Sequence, residues 1–352
     1  MKFIHIADVH LGMKPDKGKP WSEMREQEIY ETFYGIVEIC EKEKVDVLLI
    51  AGDLFQGQPL VRELKEINYA FSKLSKTKVV LIAGNHDYVG RRSHYSDFMW
   101  NQNVKMLSFM RMDEVYFSNI NTKIYGFSYE KRDITEARYD DLQPESRDCI
   151  NILLAHGGDN KNVPFDKNKL NASGFDYVAL GHIHKPGKIG EKVVYAGSPE
   201  PLDVNEVGNH GYVIGEIDEN HRLQYTFVPF SKRKYEHIII EVNPSMTFKE
   251  IEDEVKFQID SAGNFNIFKL ILTGIRDADM QYNLDILQLH GQVVTVEDQM
   301  IPDYDFATLY HENKDNMIGM FIDGIRKSNE KDEIADQALY YGIEALLKAR
   351  LK

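Results

Sequence analysis

Strand-like apolar runs alternate with helix-like stretches through about the first 230 residues. Five runs have the length and composition of buried strands: 3–7, 45–51, 78–83, 150–155 and 177–180. The range 23–44 has apolar residues at three-to-four spacing, which is typical of an amphipathic helix, and 60–75 is a second helical stretch. This alternation predicts an α/β fold built in layers.

The pattern changes further along the chain. Shorter strands with Gly- and Asn-rich turns are predicted in 190–230, and the basic run 231–234 favours a linker. Strands at 237–242, 267–274 and 292–298, with a helix at 248–260, then predict a small α/β unit. Beyond it the chain is helical and ends in an amphipathic helix at 332–351. We therefore expect three segments: 1–232, 233–302 and 303–352.

Composition narrows the class of protein. The 352 residues are 43% hydrophobic and 28% charged, as in ordinary globular proteins, and the only cysteines are Cys40 and Cys149. We see no signal-peptide pattern and no apolar stretch of membrane-spanning length, so we expect a soluble cytoplasmic protein. The net charge of −14 argues against a general polyanion binder. It does not exclude a nucleic-acid enzyme, because bound divalent cations are not counted in the net charge and would supply local positive charge.

Each of the five apolar runs is followed by side chains that can bind a metal: Asp8 and His10; Asp53; Asn85, His86 and Asp87; His156; His182 and His184. In open α/β sheets, sites form beyond the carboxyl ends of the strands. Five such ends predict one shared site. We take seven of them as nitrogen or oxygen donors: Asp8, His10, Asp53, Asn85, His156, His182 and His184. Seven donors exceed the needs of one ion but suit two ions that share a carboxylate. Donors of this kind without thiolate favour Mn, Fe or Zn over Ca.

In chain order, the motifs D-x-H, G-D, G-N-H-D, H-G-G and G-H-x-H resemble those of the calcineurin-like metallophosphoesterase superfamily. The resemblance implies a layered sandwich of β-sheets flanked by helices, with a small α/β capping domain and a helical C-terminal tail. It implies one metal held by Asp8, His10, Asp53 and His184. It implies a second held by Asp53, Asn85, His156 and His182, with Asp53 bridging. His86 matches the catalytic histidine of the family.

A narrower resemblance rests on DVHLG (8–12), AGDLF (51–55) and the small second domain. These are similar to SbcD-type DNA-repair nucleases and the related YhaO-type exonucleases. GNHDY (84–88), GSPEPLD (197–203) and ALYYGIEALL (338–347) are closer to the YhaO type. Gln56 departs from the pattern, because these nucleases commonly have Asp or His there.

The resemblance implies a DNA exonuclease or endonuclease in repair that uses two divalent ions, with Mn favoured over Fe or Zn. A hydroxide between the metals would attack the phosphodiester in line. His86 would stabilise the transition state or protonate the leaving group, and Asp87 would orient its imidazole. The partners implied are DNA, an SbcC-type or YhaO-associated coiled-coil ATPase, and a second copy of the chain. The segment 303–352 could contact the ATPase, although packing of its terminal helix on the same chain is the simpler interpretation.

Two other functions stay open at this point. One is a phosphoesterase for a small molecule or a phosphoprotein. The other is a DNA-end-binding subunit of an ATPase complex. DVHLG and the second domain favour the nuclease over the first alternative, and the complete ligand set argues against the second as the whole function. Arg91, Arg92 and His94 could reach substrate phosphates, although a solvated loop is the simpler interpretation.

Overall fold

The computed structural model describes residues 1–109, 111–280, 282–328 and 332–350. The chain divides into two compact units, Met1–Tyr235 and Glu236–Lys352. The first unit has three helices: α1 Ser22–Lys42, α2 Val61–Ser72 and α3 Lys167–Ala172. Its strands are β1 Lys2–Ile6, β2 Val47–Ala51, β3 Lys78–Ile82, β4 Val104–Met106, β5 Asp113–Phe117, β6 Thr122–Gly126, β7 Ile150–His156, β8 Tyr177–Gly181, β9 Gly187–Ile189, β10 Val193–Tyr195, β11 Gly211–Ile217 and β12 Leu223–Pro229.

These strands form two six-stranded sheets. The first has the order β12-β11-β1-β2-β3-β4, with β1 to β4 parallel and β11 antiparallel to β1. The second has the order β5-β6-β7-β8-β10-β9, with parallel pairing from β6 to β10. The first unit is therefore a sandwich, as the fold class implied, and the five predicted strand ends belong to two sheets rather than one.

Both faces of the central strands are buried, which explains their unbroken apolar runs. Alternate residues of a strand point to opposite faces. Leu48 and Ile50 of β2 join a cluster with apolar residues of α1 and α2, whereas Val47 and Leu49 pack with Ile152 and Leu154 between the sheets. A third cluster covers the other face of the second sheet. The layers thus run helix, sheet, sheet, then loops with α3.

The second unit has its own core. Its strands are β13 Tyr235–Val242, whose first residue closes the first unit, β14 Ile267–Arg276, β15 Gln292–Asp298 and β16 Ile301–Pro302; its helices are α4 Phe248–Ala262, α5 Phe306–Glu312, α6 Met317–Arg326 and α7 Asp332–Arg350. Helix α4 begins with a capping box in which the Thr247 side chain and Glu250 bond each other's backbone N–H. One apolar cluster packs α4 against the sheet, and another joins α5, α6 and α7.

Strands β4, β5 and β6 were not predicted. The basic run 231–234 connects β12 to β13 outside any helix or strand, as expected of a linker, but it is not exposed throughout. Arg233 is buried, and its Nε donates to Glu28 Oε1 over 2.6 Å. Within the part of the chain that the structure describes, no helix is both long and apolar enough to cross a membrane.

Candidate metal centre

The predicted metal-binding side chains converge where β1, β2, β3, β7 and β8 end. Three sets of donor atoms each lie within 4.8 Å of one another. They are Asp8, His10 and His184; His10, Asp53 and His86; and Asp8, Asp53 and His156. The first sheet thus contributes its carboxylates to the same place as the imidazoles of the second.

Asp53 lies between two groups of donors. Its Oδ2 is 3.8 Å from His10 Nε2 and 3.4 Å from His156 Nε2. On one side, His10 Nε2 is 3.2 Å from His184 Nε2. On the other, Asn85 Oδ1 is 2.9 Å from His156 Nε2 and 3.1 Å from His182 Nδ1. Donor atoms therefore crowd two adjacent points that share one carboxylate.

The backbone is unusual at four of these positions. Asp8, His10, Asp53 and His182 have φ of 53°, 52°, 51° and 96°, in the left-handed region that side chains other than glycine rarely adopt. Hydrogen bonds hold these turns: Asp8 N donates to Gly52 O, His10 N donates to Asp53 O, and His182 N donates to the Asp8 carboxylate. Strain of this kind is characteristic of functional sites, where surrounding structure holds side chains in place.

The buried carboxylates of the cluster need a compensating positive charge. Burial raises the pKa of Asp8 to about 6 and lowers the pKa of His10 to about 3. Burial would also lower the pKa of His156, but Asp53 and Asp8 outweigh it and raise that pKa to about 9. The ion-pair partners of both buried carboxylates are histidines. Divalent cations would supply the compensating charge that the His156 imidazole otherwise provides by taking up a proton.

The donor set suits such ions. It comprises imidazole nitrogens, carboxylates and one amide oxygen, which are ligands for Mn, Fe and Zn. Cys40 is buried in the apolar cluster under α1, and Cys149 is buried beside the Asn151 side chain; burial raises the pKa of each thiol. Neither belongs to the three donor sets. The residues present therefore fit divalent metal ions bound through nitrogen and oxygen.

His86 lies at the edge of this cluster and is half-buried. Its backbone N–H donates to Asp53 Oδ1 over 2.8 Å, and its ring centroid is 4.7 Å from that of His10. Asp87 does not orient this imidazole as expected. Its carboxylate instead accepts from Gly84 N, Phe55 N and the Tyr95 hydroxyl, so it holds the turns that carry Asp53 and Asn85.

The structure also brings in two acidic residues that sequence reasoning missed. Asp159 Oδ2 is 2.8 Å from His182 Nε2, and Glu206 Oε1 is 2.7 Å from His184 Nδ1. Of the other predicted residues, Arg91, Arg92 and His94 are exposed. No spacing in the sequence could have signalled Glu206, which lies 22 positions after the histidine it contacts. Asp159 directly follows the H-G-G motif, which offered a weak signal.

The fold and this cluster together define the class of protein. Residues 1–186 match the calcineurin-like phosphoesterase family. The chain belongs to this family and is thus a metal-dependent phosphoesterase, that is, a hydrolase.

Similar proteins narrow the class further. The metallophosphoesterase YhaO of Bacillus subtilis is 28% identical over 300 residues, covering 78% of this chain and 72% of that protein. The DNA double-strand break repair protein Mre11 of Methanocaldococcus jannaschii is 33% identical over 335 residues, covering 84% and 89%. The SbcD subunit of the nuclease SbcCD of Staphylococcus epidermidis is 27% identical over 317 residues, covering 78% and 79%.

Proposed function

We propose that this protein is a two-metal phosphodiesterase that degrades DNA in repair. The observation that carries the proposal is the position of Asp53 between two groups of donors, within 4 Å of a histidine on each side. The relatives named for DNA repair and for a nuclease complex support DNA as the substrate.

The metal ligands follow from the two donor groups. One ion would be held by Asp8, His10, Asp53 and His184, and the other by Asp53, Asn85, His156 and His182. Two such ions would lower the pKa of a water nucleophile and stabilise the attacking and leaving oxygens of an in-line displacement. Mn is the ion we favour, with Fe and Zn as alternatives.

His86 is the residue we assign to proton transfer. Its ring Nδ1 lies 3.4 Å from the carbonyl oxygen of Gln56, which can only accept, so Nδ1–H is the donor there. Nε2 is then the nitrogen that exchanges the second proton, and the imidazolium form would pass that proton to the leaving oxygen. The backbone bond to Asp53 ties its position to the shared carboxylate. A correctly placed acid of this kind contributes about 10²–10⁴-fold to the rate.

The test compares metal-stripped protein on linear double-stranded DNA with and without Mn²⁺, beside His86→Ala and His311→Ala. His311 is an exposed histidine of α5 and serves as the matched control. We expect Mn-dependent degradation that falls about 10²–10⁴-fold in His86→Ala and is unchanged in His311→Ala. Calorimetric titration with Mn²⁺ should still give two bound ions in His86→Ala.

A chromogenic phosphodiester run in parallel separates the alternatives. Hydrolysis of this substrate with intact DNA would refute the stand-alone nuclease and favour a small-molecule or phosphoprotein substrate. DNA binding without hydrolysis of either substrate would favour a DNA-end-binding subunit.

We also propose an ATPase of the SbcC type as a partner, since one relative is a subunit of a nuclease complex. The segment 303–352 is the contact we favour, and copurification with the co-expressed ATPase before and after its deletion tests it. A homodimer is a further proposal, tested by the mass in solution.

A further inference from the structure

The segment 197–206, which contains the GSPEPLD run, contacts His184 at both of its ends. Ser198 N donates to His184 O over 2.9 Å, which fixes the backbone of the histidine. Glu206 Oε1 lies 2.7 Å from its ring Nδ1. The other carboxylate oxygen of Glu206 accepts from Leu202 N over 2.7 Å. Both ends of the segment therefore contact the same histidine, one through the backbone and one through the ring.

The middle of this segment is anchored to α1. Glu200 is buried, and its carboxylate accepts from Arg25 Nη1 over 3.1 Å and from the Thr32 hydroxyl over 2.6 Å. Leu202 is buried in the apolar cluster under α1. Because the segment cannot shift without breaking these contacts, the Glu206 carboxylate is held in one place against the imidazole.

We propose that Glu206 is a positioning residue that fixes the tautomer and the orientation of His184. Its carboxylate accepts a hydrogen bond from Nδ1–H, so the lone pair of Nε2 faces the donor cluster, where it can bind a cation. The inference rests on the proposed metal-binding role of His184. Outer hydrogen-bond partners of this kind fix the ring of a metal-ligating histidine and raise its basicity.

Two other histidines of the cluster are held in the same way. His156 Nδ1 is 2.9 Å from Ala51 O, and His182 Nε2 is 2.8 Å from Asp159 Oδ2. The Glu206 side chain is 18% exposed, whereas that of Asp159 is 48% exposed. Solvent can replace an exposed partner more readily, so the stronger effect is expected at Glu206.

The experiment uses the full chain loaded with Zn²⁺, which is diamagnetic and gives a readout separate from activity. Zn²⁺ affinity is measured by chelator competition for the unaltered protein, Glu206→Ala and Glu206→Gln. Glu219→Gln, at an exposed glutamate between β11 and β12, is the matched control. NMR of ¹⁵N-histidine-labelled protein, assigned with His184→Asn, follows the Nδ1 proton of His184.

We expect Glu206→Ala to weaken one of two bound Zn²⁺ ions by about 10–100-fold and to abolish the slowly exchanging Nδ1–H signal of His184. Glu206→Gln keeps an acceptor for this proton and should retain the signal with a smaller loss. Glu219→Gln should match the unaltered protein.

Two bound ions of unchanged affinity in Glu206→Ala would overturn the role of Glu206 and leave the proposed function standing. Equal disturbance of the His156 and His182 signals would also overturn it, because that would show a general structural effect. Failure of the unaltered protein to bind Zn²⁺ or Mn²⁺ would overturn the metal centre and the role of Glu206 together.

Discussion

The buried charge cluster on α1 allows a quantitative prediction for Arg25→Met. Arg25 is fully buried, and its guanidinium donates to Glu28, to Glu200 and to the carbonyl oxygen of Pro201. Methionine keeps much of the volume and removes the charge. The change would leave the buried carboxylate of Glu200 without its charged partner. Breaking a buried pair in this way costs about 3–5 kcal/mol of unfolding free energy.

Protonation limits that cost. Burial already raises the pKa of Glu200, and Arg25 opposes the rise. Without Arg25 the carboxyl takes up a proton more readily, so the lower end of the range should apply at acidic pH. The hydrogen bonds from the Thr32 hydroxyl and Lys232 N to Glu200 remain, although they cannot replace a positive charge.

Urea denaturation followed by tryptophan fluorescence measures the unfolding free energy of the first unit. The two tryptophans, Trp21 and Trp100, both lie in the first unit, so the signal reports its unfolding. Lys14→Ala is the matched control. Lys14 pairs with Glu26 of α1 at 3.0 Å, but the two side chains are 51% and 30% exposed, so solvent screens this pair and it contributes little to stability.

We therefore expect Arg25→Met to destabilise the first unit by about 3–5 kcal/mol and Lys14→Ala to change its stability little. Agreement of the two variants within about 1 kcal/mol, with an unchanged dependence on urea concentration, would refute this expectation. That result would mean that the cluster is replaceable by apolar packing.

Two further predictions concern the site and its sheet. A Cβ on Gly84 would overlap Asp53 Oδ1, so Gly84→Ala should weaken Mn²⁺ binding measured by calorimetric titration. Gly57→Ala is the control, because a Cβ on Gly57 meets no atom within 4 Å. Equal Mn²⁺ affinities of the two variants would contradict this prediction. Burial lowers the pKa of His5 to about 3 in the folded protein. Below about pH 6.5 the unfolded chain therefore binds a proton at His5, whereas the folded chain leaves this imidazole neutral. The free energy of unfolding should therefore fall as pH decreases from 6.5 towards 3, and it should fall more steeply in the unaltered protein than in His5→Gln. Urea denaturation at a series of pH values measures this, and parallel profiles for the two proteins would contradict the prediction.

The sequence predicted the central strands well because both of their faces are buried. The run 78–83 corresponds to β3 Lys78–Ile82, and the helix expected at 248–260 is α4 Phe248–Ala262. Strand β5 was missed because its first two residues, Asp113 and Glu114, are charged and every residue is at least partly exposed. Strand β4 has only three residues. Neither gives a continuous apolar run or a long alternation.

What the sequence could not supply was the pairing of elements far apart in the chain. An apolar run does not reveal which sheet it joins, and β1 pairs with β11, more than 200 residues later. The same limit hid Glu206, because its contact with His184 depends on the path of the segment 197–206. Long-range contacts of this kind leave no periodicity in the sequence.

The division of donors between two sheets explains why the strand ends approach so closely. Asp53 follows a strand of the first sheet and His156 ends a strand of the second, so their side chains meet only if the backbones nearly touch. Gly52 allows this, because a Cβ there would overlap His156 Nδ1 and its φ is +90°. The same imidazole nitrogen bonds Ala51 O, so the first sheet sets the orientation of a donor side chain carried by the second. The geometry of the donor cluster therefore depends on the apolar packing between the sheets as much as on the donor side chains themselves.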